Sequence, residues 1–470
     1  MLLTEVMAKL GHYEQKGQRQ NLDIPRTEFG NLTAVEVIRI VESAATVQAV
    51  EETINFLYDT ENNGPAGTRY RDLLENARAL GFSASDIAAL ESFRNEVRSV
   101  FFINSVGTNL DKSAVVYHST NHFAQRDRAG LRDMDAWFTY YRDSTSTAIP
   151  IGIFSALNRE HFRYDLAAEV LKIAVRAPNA WHTSMPQHFS CPELGIFPET
   201  SFVGGLVGEG AGTARMLALF GEDSTTRFSR DSVVHVSIGD GGTKESSFSS
   251  AVNELEHWEY LVARHFLKLS DAEIREAKRD DAKRIGIYQR AIEQGYGIKL
   301  IIHGYNNRRA ISTSPDVVHP MGDMFHMFRG LTSLGIAKRL DYKGYDLLEV
   351  LRNTAAADKL AREGYIMLLE SEVPRLGSHS ATGYAGFKTA RKGADKSPIH
   401  YMLPDEFEFH QNTDPVFNAL EYLVQNGYMD GAEAVSLVQD AQRKVYEALL
   451  RNVISGYRQV SFGDLTPAFD

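Results

Sequence analysis

Two short apolar segments, each closed by small polar residues, constrain the fold of this chain more than any other feature. The first, residues 233–238, runs into the Gly-Asp-Gly-Gly sequence at 239–242. The second, residues 298–302, is followed shortly by a pair of asparagines. A short β-branched run that ends at glycine is typical of a buried strand followed by a tight turn. The sequence therefore predicts two strands of one sheet that carry Asp240 and Asn307 at their carboxyl ends, where open α/β sheets bind ligands.

The side chains of Asp240 and Asn307 suit a hard divalent cation. Such a cation prefers oxygen ligands and keeps coordination positions open for water and phosphate oxygens. One carboxylate and one carboxamide leave a net positive site, which would attract a diphosphate, so the pair predicts a magnesium-diphosphate clamp. Taken alone, Asp240 is equally compatible with the N-cap of a following helix. The second strand ending in two asparagines favours the clamp.

Five sequence blocks, in the same order along the chain, are similar to one enzyme family. They resemble the alpha subunit of the first component of 2-oxoacid dehydrogenases, the thiamine-diphosphate enzymes of the pyruvate, branched-chain and acetoin group. The resemblance covers residues 110–390. The blocks are 138–143 (Phe-Thr-Tyr-Tyr-Arg-Asp), 185–196, 239–254, 306–313 and 375–380 (Arg-Leu-Gly-Ser-His-Ser).

The resemblance implies a thiamine-diphosphate-binding α/β fold with a mostly parallel sheet flanked by helices. Alternating strand and helix patterns independently favour a parallel sheet that is covered on both faces. The stretch between Asp240 and Asn307 is longer than one helix and one strand require, which predicts a charged helical insertion at about 255–294. We expect three regions: a helical N-terminal arm (1–110), the cofactor-binding domain with its insertion (111–400) and a helical C-terminal extension (401–470).

Local patterns predict individual elements of these regions. Residues 366–370 read as a further buried strand, and residues 35–57 have apolar positions at helical spacing. Two Ser-x-x-acid sequences, at Ser83 and Ser270, predict capping boxes that begin helices. The extension is predicted to be helical at 415–426 and 431–455.

The resemblance also assigns roles to particular residues. It implies that magnesium is held by Asp240, Asn307 and the backbone carbonyl of Arg309. Tyr141 and Arg142 would hold the diphosphate, because a guanidinium pairs with two phosphate oxygens at once. The other cofactor-contacting positions are Gly239, Gly241 and Gly242, where backbone amides approach phosphates, and Ser201 and Val203, beside the aminopyrimidine.

His379 is the catalytic candidate and a cofactor contact. A neutral imidazole near the reacting carbon can stabilise or protonate an acyl intermediate; the alternative is a loop histidine bonded to backbone. Ser380 matches a serine that some family members phosphorylate. The chain departs from the family at Ser378, which replaces a histidine, and at Tyr305, where family members carry Glu or Arg.

The function that the resemblance implies is decarboxylation of a 2-oxoacid, with transfer of the acyl group to a lipoyl carrier on an acyltransferase component. The family's activating glutamate comes from a beta subunit, so a beta partner in an α2β2 assembly is expected. Two alternatives stay open. One is a thiamine-diphosphate-dependent carboligase or non-oxidative decarboxylase, and the other is a non-catalytic subunit that binds cofactor or a partner.

Composition excludes several classes of function. The net charge of -11 argues against a nucleic-acid surface. The absence of an apolar run of membrane-spanning length predicts no transmembrane helix. A single cysteine, Cys191, and a start without signal-peptide features predict a cytoplasmic protein. His118 and His122 have the i, i+4 spacing of a helical zinc site, but the sequence offers no third ligand.

Overall fold

The computed structural model describes residues 3–11, 20–58, 74–97, 109–130, 134–140, 143–158, 165–175, 177, 189–200, 202–221, 227–308, 323–375 and 404–456. Within these residues, five strands form one parallel sheet in the order β1-β2-β3-β5-β4. The strands are β1 (Ala136–Phe138), β2 (Val234–Gly239), β3 (Leu300–Asn306), β4 (Ala337–Lys343) and β5 (Ile366–Glu372). The predicted parallel α/β sheet flanked by helices is confirmed.

Helices cover both faces of this sheet. In chain order they are α1 (Leu3–Leu10), α2 (Ala34–Tyr58), α3 (Ala84–Glu96), α4 (Asn109–Arg128), α5 (Ser144–Asn158), α6 (Leu166–Ala174), α7 (Gly205–Phe220), α8 (Ser246–His265), α9 (Asp271–Ala277), α10 (Asp281–Glu293), α11 (Arg329–Ser333), α12 (Leu347–Arg362), α13 (Pro404–Asn412), α14 (Pro415–Gln425) and α15 (Gly431–Ala448). No helix of the described ranges is long and apolar enough to cross a membrane.

The two faces of the sheet are separated by strand alternation, because successive side chains point to opposite sides. The first face is marked by Trp137, Ile301 and Met367, which join a core with α2, α4, α5, α6, α12, α14 and α15. The second face is marked by Val236 and Ile302, which join a core with α7, α8, α10 and α11. The central strands are mostly apolar on both sides because both faces are covered, with His235, Ser237 and His303 as buried polar exceptions on the first face.

The terminal regions pack on the same chain. Helix α2 contacts α4, α5 and α15, so the N-terminal and C-terminal helices share the core on the first face. Gln48 of α2 donates to Asp414 Oδ2 at 3.0 Å, and Asp414 caps α14. The helix predicted at 35–57 and the two predicted in the extension are confirmed.

The segment between β2 and β3 is helical, as the charged insertion pattern predicted. Helix α8 is followed by α9 and α10, and a small apolar cluster of Ala263, Ile274, Ala277 and Ile287 joins the three. The capping boxes predicted at Ser83 and Ser270 are both present.

The connections that follow β1 and β2 lead to helices on opposite faces of the sheet. After β1 it enters α5, whose buried residues belong to the core on the first face. After β2 it enters α8, whose buried residues belong to the core on the second face. A crevice forms where neighbouring parallel strands diverge in this way, and open α/β sheets bind their ligands there.

Candidate functional site

The register of β2 against β3 places the two clamp residues at the same edge of the sheet. Gly239 pairs with Tyr305 in parallel. Asp240 follows the last residue of β2 directly, and Asn307 follows the last residue of β3 directly. Both side chains therefore leave adjacent strand ends beside the crevice, as the sequence predicted.

Asp240 begins a single 3-10 turn, Asp240–Lys244, and is buried. Its Oδ1 accepts from the backbone N–H of Gly241 at 2.8 Å, and its carbonyl accepts from the Thr243 hydroxyl at 2.8 Å. Helix α8 begins later, with Glu245 as its N-cap. The alternative interpretation of Asp240 as the N-cap of the following helix is therefore wrong, because the 3-10 turn lies between them.

Asn306 and Asn307 have different positions in the turn after β3. The Asn306 side chain accepts from the N–H of Arg308 at 2.9 Å and donates to Glu370 Oε1 on β5 at 2.8 Å. Arg308 has a positive φ of 58° and pairs with Glu372. Asn306 thus fixes the turn, and Asn307 is the residue that the turn presents at the sheet edge.

Val203 is brought onto the turn that carries Asp240. The Ser247 hydroxyl donates to the Val203 carbonyl at 3.2 Å. A Cβ on Gly242 would lie 3.3 Å from Val203 Cγ1 and 2.9 Å from Ile238 Cγ1. A Cβ on Gly204, which has φ of 79°, would lie 3.1 Å from the carbonyl oxygen of Gly242. The structure therefore places Val203 against the turn that carries Asp240 and Gly242, and the absence of a side chain at Gly242 permits this close packing.

The end of β1 forms the other wall of the crevice. The backbone N–H of Tyr140 donates to the Ser237 hydroxyl at 3.2 Å, and the Tyr140 ring lies 6.5 Å from the Tyr305 ring. A Cβ on Gly239 would lie 3.7 Å from the Tyr140 hydroxyl.

A buried ion pair anchors the loop that follows β1. Lys112 Nζ, from α4, lies 3.0 Å from Asp143 Oδ2, and both side chains are at most 1% exposed. Asp143 also accepts from the hydroxyls of Ser146 and Thr147 at the start of α5. The N–H of Asp143 donates to the Tyr140 carbonyl at 2.7 Å. The loop between β1 and α5 is therefore held at both of its described ends.

Two buried acids near this edge, Asp111 and Glu199, have raised pKa values and therefore carry less negative charge than exposed acids do. Burial raises the pKa of Asp111 to about 7, a hydrogen bond with Ser371 opposes the rise, and the charge of Asp143 adds to it. Burial raises the pKa of Glu199 well above its usual value, against hydrogen bonds from the Thr139 hydroxyl (2.6 Å) and the Phe189 N–H (3.3 Å). Fewer negative charges at the edge suit an anionic ligand.

The other predicted site residues lie outside the described ranges. They are Tyr141, Arg142, Ser201, Arg309 and His379, together with Ser380. Among the residues that the structure does describe, no group of three or more His, Cys, Asp or Glu side chains is arranged to hold a metal. His118 and His122 both lie on α4, and the described residues add no third ligand to the zinc hypothesis.

Sequence reasoning missed several residues that shape this edge. Lys112, Asp143 and Glu199 are buried charges or acids, and no local pattern marks them as such. A detectable signal did exist in the strands, where His235, Ser237 and His303 interrupt apolar runs at alternate positions of one face. Polar residues at this spacing in a fully buried strand need partners.

Comparison with known proteins gives no match, either to a protein-family model or to a curated protein.

Proposed function

We propose that this chain is the alpha-type subunit of a thiamine-diphosphate- and magnesium-dependent 2-oxoacid dehydrogenase of the cytoplasm. It would decarboxylate a 2-oxoacid and transfer the acyl group to the lipoyl carrier of an acyltransferase component. The observation that carries the proposal is the β2–β3 register, with Asp240 and Asn307 at adjacent strand ends beside the β1–β2 crevice. This is the arrangement that the five family-like blocks imply.

The residues at the edge fit such a cofactor. The Tyr305 hydroxyl is buried, and the described residues give it no hydrogen-bond partner, so a polar group is needed beside the crevice. Gly239 leaves space against Tyr140 that a side chain would fill. Lys112 balances the buried charge of Asp143, while Asp111 and Glu199 hold protons more tightly than exposed acids do. Together these features favour an anion with polar groups, as a diphosphate has.

In this proposal each residue has one task. Asp240, Asn307 and the Arg309 carbonyl hold Mg²⁺, and Tyr141 and Arg142 bind the diphosphate. The backbone of the turn at Gly239, Gly241 and Gly242 approaches the phosphates, and Ser201 and Val203 line the aminopyrimidine. Bound thiamine diphosphate supplies the carbanion chemistry that decarboxylation needs. His379 holds or donates a proton next to the reacting carbon.

An exposed face of α7 supports the proposed beta partner and α2β2 assembly. Met216 and Phe220 of α7 are 55% and 58% exposed, and Phe202, which precedes the helix, is 63% exposed. On the same helix, nothing lies within 4 Å of the positions where Gly208 and Gly212 would carry a Cβ. A helix face with exposed large apolar side chains and glycines that leave open space is suited to close packing of another protein element.

Calorimetric titration of thiamine diphosphate with Mg²⁺ tests the proposal. The chain is titrated alone and after co-expression with the product of a neighbouring gene. We expect Asp240→Asn, which keeps the carbonyl oxygen for the Gly241 bond, to weaken magnesium-dependent binding about 10- to 100-fold. Asp440→Asn, the same change at an exposed carboxylate on α15, is the control and should leave binding unchanged.

The outcomes separate the candidate functions. Binding that tightens with the partner, and acyl transfer to a lipoyl acceptor, would support the dehydrogenase. A free ligation product or aldehyde without that acceptor would favour the carboligase or decarboxylase alternative. Absence of binding with and without the partner would refute a cofactor site at Asp240 and Asn307.

A further inference from the structure

A row of buried polar groups crosses the first face of the sheet below the candidate site. Asp135, just before β1, places Oδ2 3.3 Å from Nε2 of His235 on β2. His235 Nδ1 lies 3.2 Å from Nε2 of His303 on β3. The Trp137 ring stacks on His235 with centroids 3.9 Å apart. The three groups therefore form a continuous line across β1, β2 and β3.

The Asp135 end of this line is an ionised carboxylate. Arg362 Nη2 donates to Oδ2 at 2.8 Å, the Val233 N–H donates to Oδ1 at 2.7 Å, and the Ser119 hydroxyl also donates. Burial alone would raise the pKa of Asp135, but Arg362 and His235 more than offset it and hold that pKa well below its usual range. An ionised carboxylate can only accept hydrogen bonds.

This charge fixes the direction of every N–H along the line. Burial lowers the pKa of His235 against the opposing charge of Asp135, and burial, Lys112 and His235 lower that of His303 well below its usual value. Each ring is then neutral at pH 7 and carries one N–H. His235 must donate from Nε2 to Asp135, so its Nδ1 accepts from His303 Nε2. His303 is left with an unprotonated Nδ1.

Lys112 lies on the same face of the sheet as this line, beside the Trp137 ring that stacks on His235. The Lys112 ammonium lies 5.4 Å from the centroid of the Trp137 ring and 5.8 Å from that of Tyr305, and its charge is one of the causes that lower the pKa of His303. A second N–H on His303 would repel this ammonium, whereas a bare nitrogen does not. Because every N–H of the line is donated toward Asp135, Nδ1 of His303 carries no proton. This favours the charged form of Lys112, which pairs with Asp143.

We propose that Asp135, His235 and His303 are positioning residues. Their hydrogen bonds, all donated toward Asp135, keep Lys112 paired with Asp143 and so hold Asp143 and Tyr140, which stand on either side of the residues proposed to bind the diphosphate. This inference rests on the proposed function, because it assigns the loop to diphosphate binding. It concerns how the site is held and adds no contact to the cofactor.

Two variants of His235 separate the hydrogen-bond chain from simple packing. His235→Phe keeps an aromatic ring against Trp137 but removes both hydrogen bonds. His235→Gln can donate from its amide to Asp135 and accept from His303, so it can restore the original direction. Both are studied in the full-length chain labelled with ¹⁵N-histidine and ¹⁵N-aspartate, together with the proposed partner where binding requires it.

The expected results are specific to a positioning role. In the unmodified protein, His235 and His303 should both be neutral Nε2–H tautomers at pH 7 and above, because burial lowers both pKa values. His235→Phe should release His303 from the single tautomer, shift the Asp143 amide signal and weaken magnesium thiamine diphosphate binding about tenfold. His235→Gln should restore the tautomer, the amide signal and the affinity.

Three results would overturn the proposal. They are a folded His235→Phe variant with unchanged His303 and Asp143 signals, a shifted Asp143 signal with unchanged affinity, and a His235→Gln variant that restores the tautomer but not the affinity. If the unmodified assembly binds no thiamine diphosphate, the proposed function fails. The role of these residues in diphosphate binding then fails with it. The tautomer and Asp143 signals still decide whether the hydrogen bonds of Asp135, His235 and His303 hold Asp143 in place.

Discussion

At the residue scale, the two adjacent asparagines at the end of β3 have different roles. Asn306 makes a hydrogen bond to the backbone of Arg308 and another to Glu370, so it shapes the turn. Asn307 is then carried to the sheet edge opposite Asp240. Glu370 is held in turn by Arg339, whose Nη2 lies 2.6 Å from Glu370 Oε2. The orientation of Asn307 therefore depends on a neighbour that contacts no ligand in the proposed site.

We predict that Asn306→Ala weakens magnesium-dependent binding although Asn307 is intact. The variant loses an acceptor for Arg308 and leaves Glu370 with one donor fewer, which should also lower the free energy of unfolding by about 1–3 kcal/mol. Titration calorimetry and urea unfolding measure the two effects. Arg308→Gly is the control, because glycine accepts the positive φ and keeps the Asn306 bond. Equal affinity for Asn306→Ala and the unmodified chain would contradict the prediction.

Sequence reasoning predicted the placement of Asp240 and Asn307 at neighbouring strand ends, because each follows an apolar run in a compact motif, and the observed register agrees. It could not identify Lys112 or the contact of His235 with His303. Those contacts join residues 68 apart or on different elements, and they depend on strand register and helix placement. Register is set by packing across the whole sheet, which no local pattern records.

At the element scale, α7 lies directly on β2 through a glycine. A Cβ on Gly210 would lie 2.1 Å from Cγ2 of Val236. The helix can approach this closely only because the side chain is absent. On the outer side of the same helix, Gly208 has no atom within 4 Å of its Cβ position. One helix thus uses glycine for internal contact on one side and presents an open surface on the other.

These two glycines give a matched pair of variants. Gly210→Ala should lower the free energy of unfolding by about 1–3 kcal/mol, because the added methyl forces α7 away from β2. Gly208→Ala should raise it by up to about 1 kcal/mol, because alanine favours the helix. Urea unfolding compares both with the unmodified chain. If the outer face binds the proposed partner, Gly208→Ala will also weaken co-purification with it. A destabilised Gly208→Ala variant, or a neutral Gly210→Ala variant, would contradict this packing.

The elements that the sequence revealed are the buried ones. Strands β2, β3 and β5 are rich enough in apolar residues to be predicted, and the predicted runs 233–238, 298–302 and 366–370 overlap the observed strands. Strand β4, with the sequence Ala-Lys-Arg-Leu-Asp-Tyr-Lys, lies at the sheet edge and is polar enough to escape such a pattern. The position of β5 between β3 and β4 in the sheet could not be predicted from the sequence either, because strand order depends on which face each crossover covers.

At the scale of the whole molecule, buried acids make stability depend on pH in two opposite ways. The pKa of Asp111 is raised to about 7, mainly by burial, so the folded chain keeps a proton that the unfolded chain loses near 3.8. Its contribution to stability is fully present below the unfolded value and is lost as pH rises through the folded one. Asp135 acts in the opposite sense, because its pKa is held well below the usual range. Its contribution is present at neutral pH and is lost only in acid.

Asp111→Asn isolates the first of these effects. The amide stays neutral at every pH, so the variant should gain stability relative to the unmodified chain by about 2 kcal/mol between pH 5 and pH 8. Urea unfolding at half-unit pH steps measures the difference, and Asp440→Asn should follow the unmodified chain throughout. Parallel curves for Asp111→Asn would mean that Asp111 is ionised across this range. The Lys112 ammonium would then face two negative charges, Asp111 and Asp143. A difference that grows with pH would instead mean that Asp111 loses its proton between pH 5 and pH 8, so that the edge proposed to bind a diphosphate becomes more negative in that range.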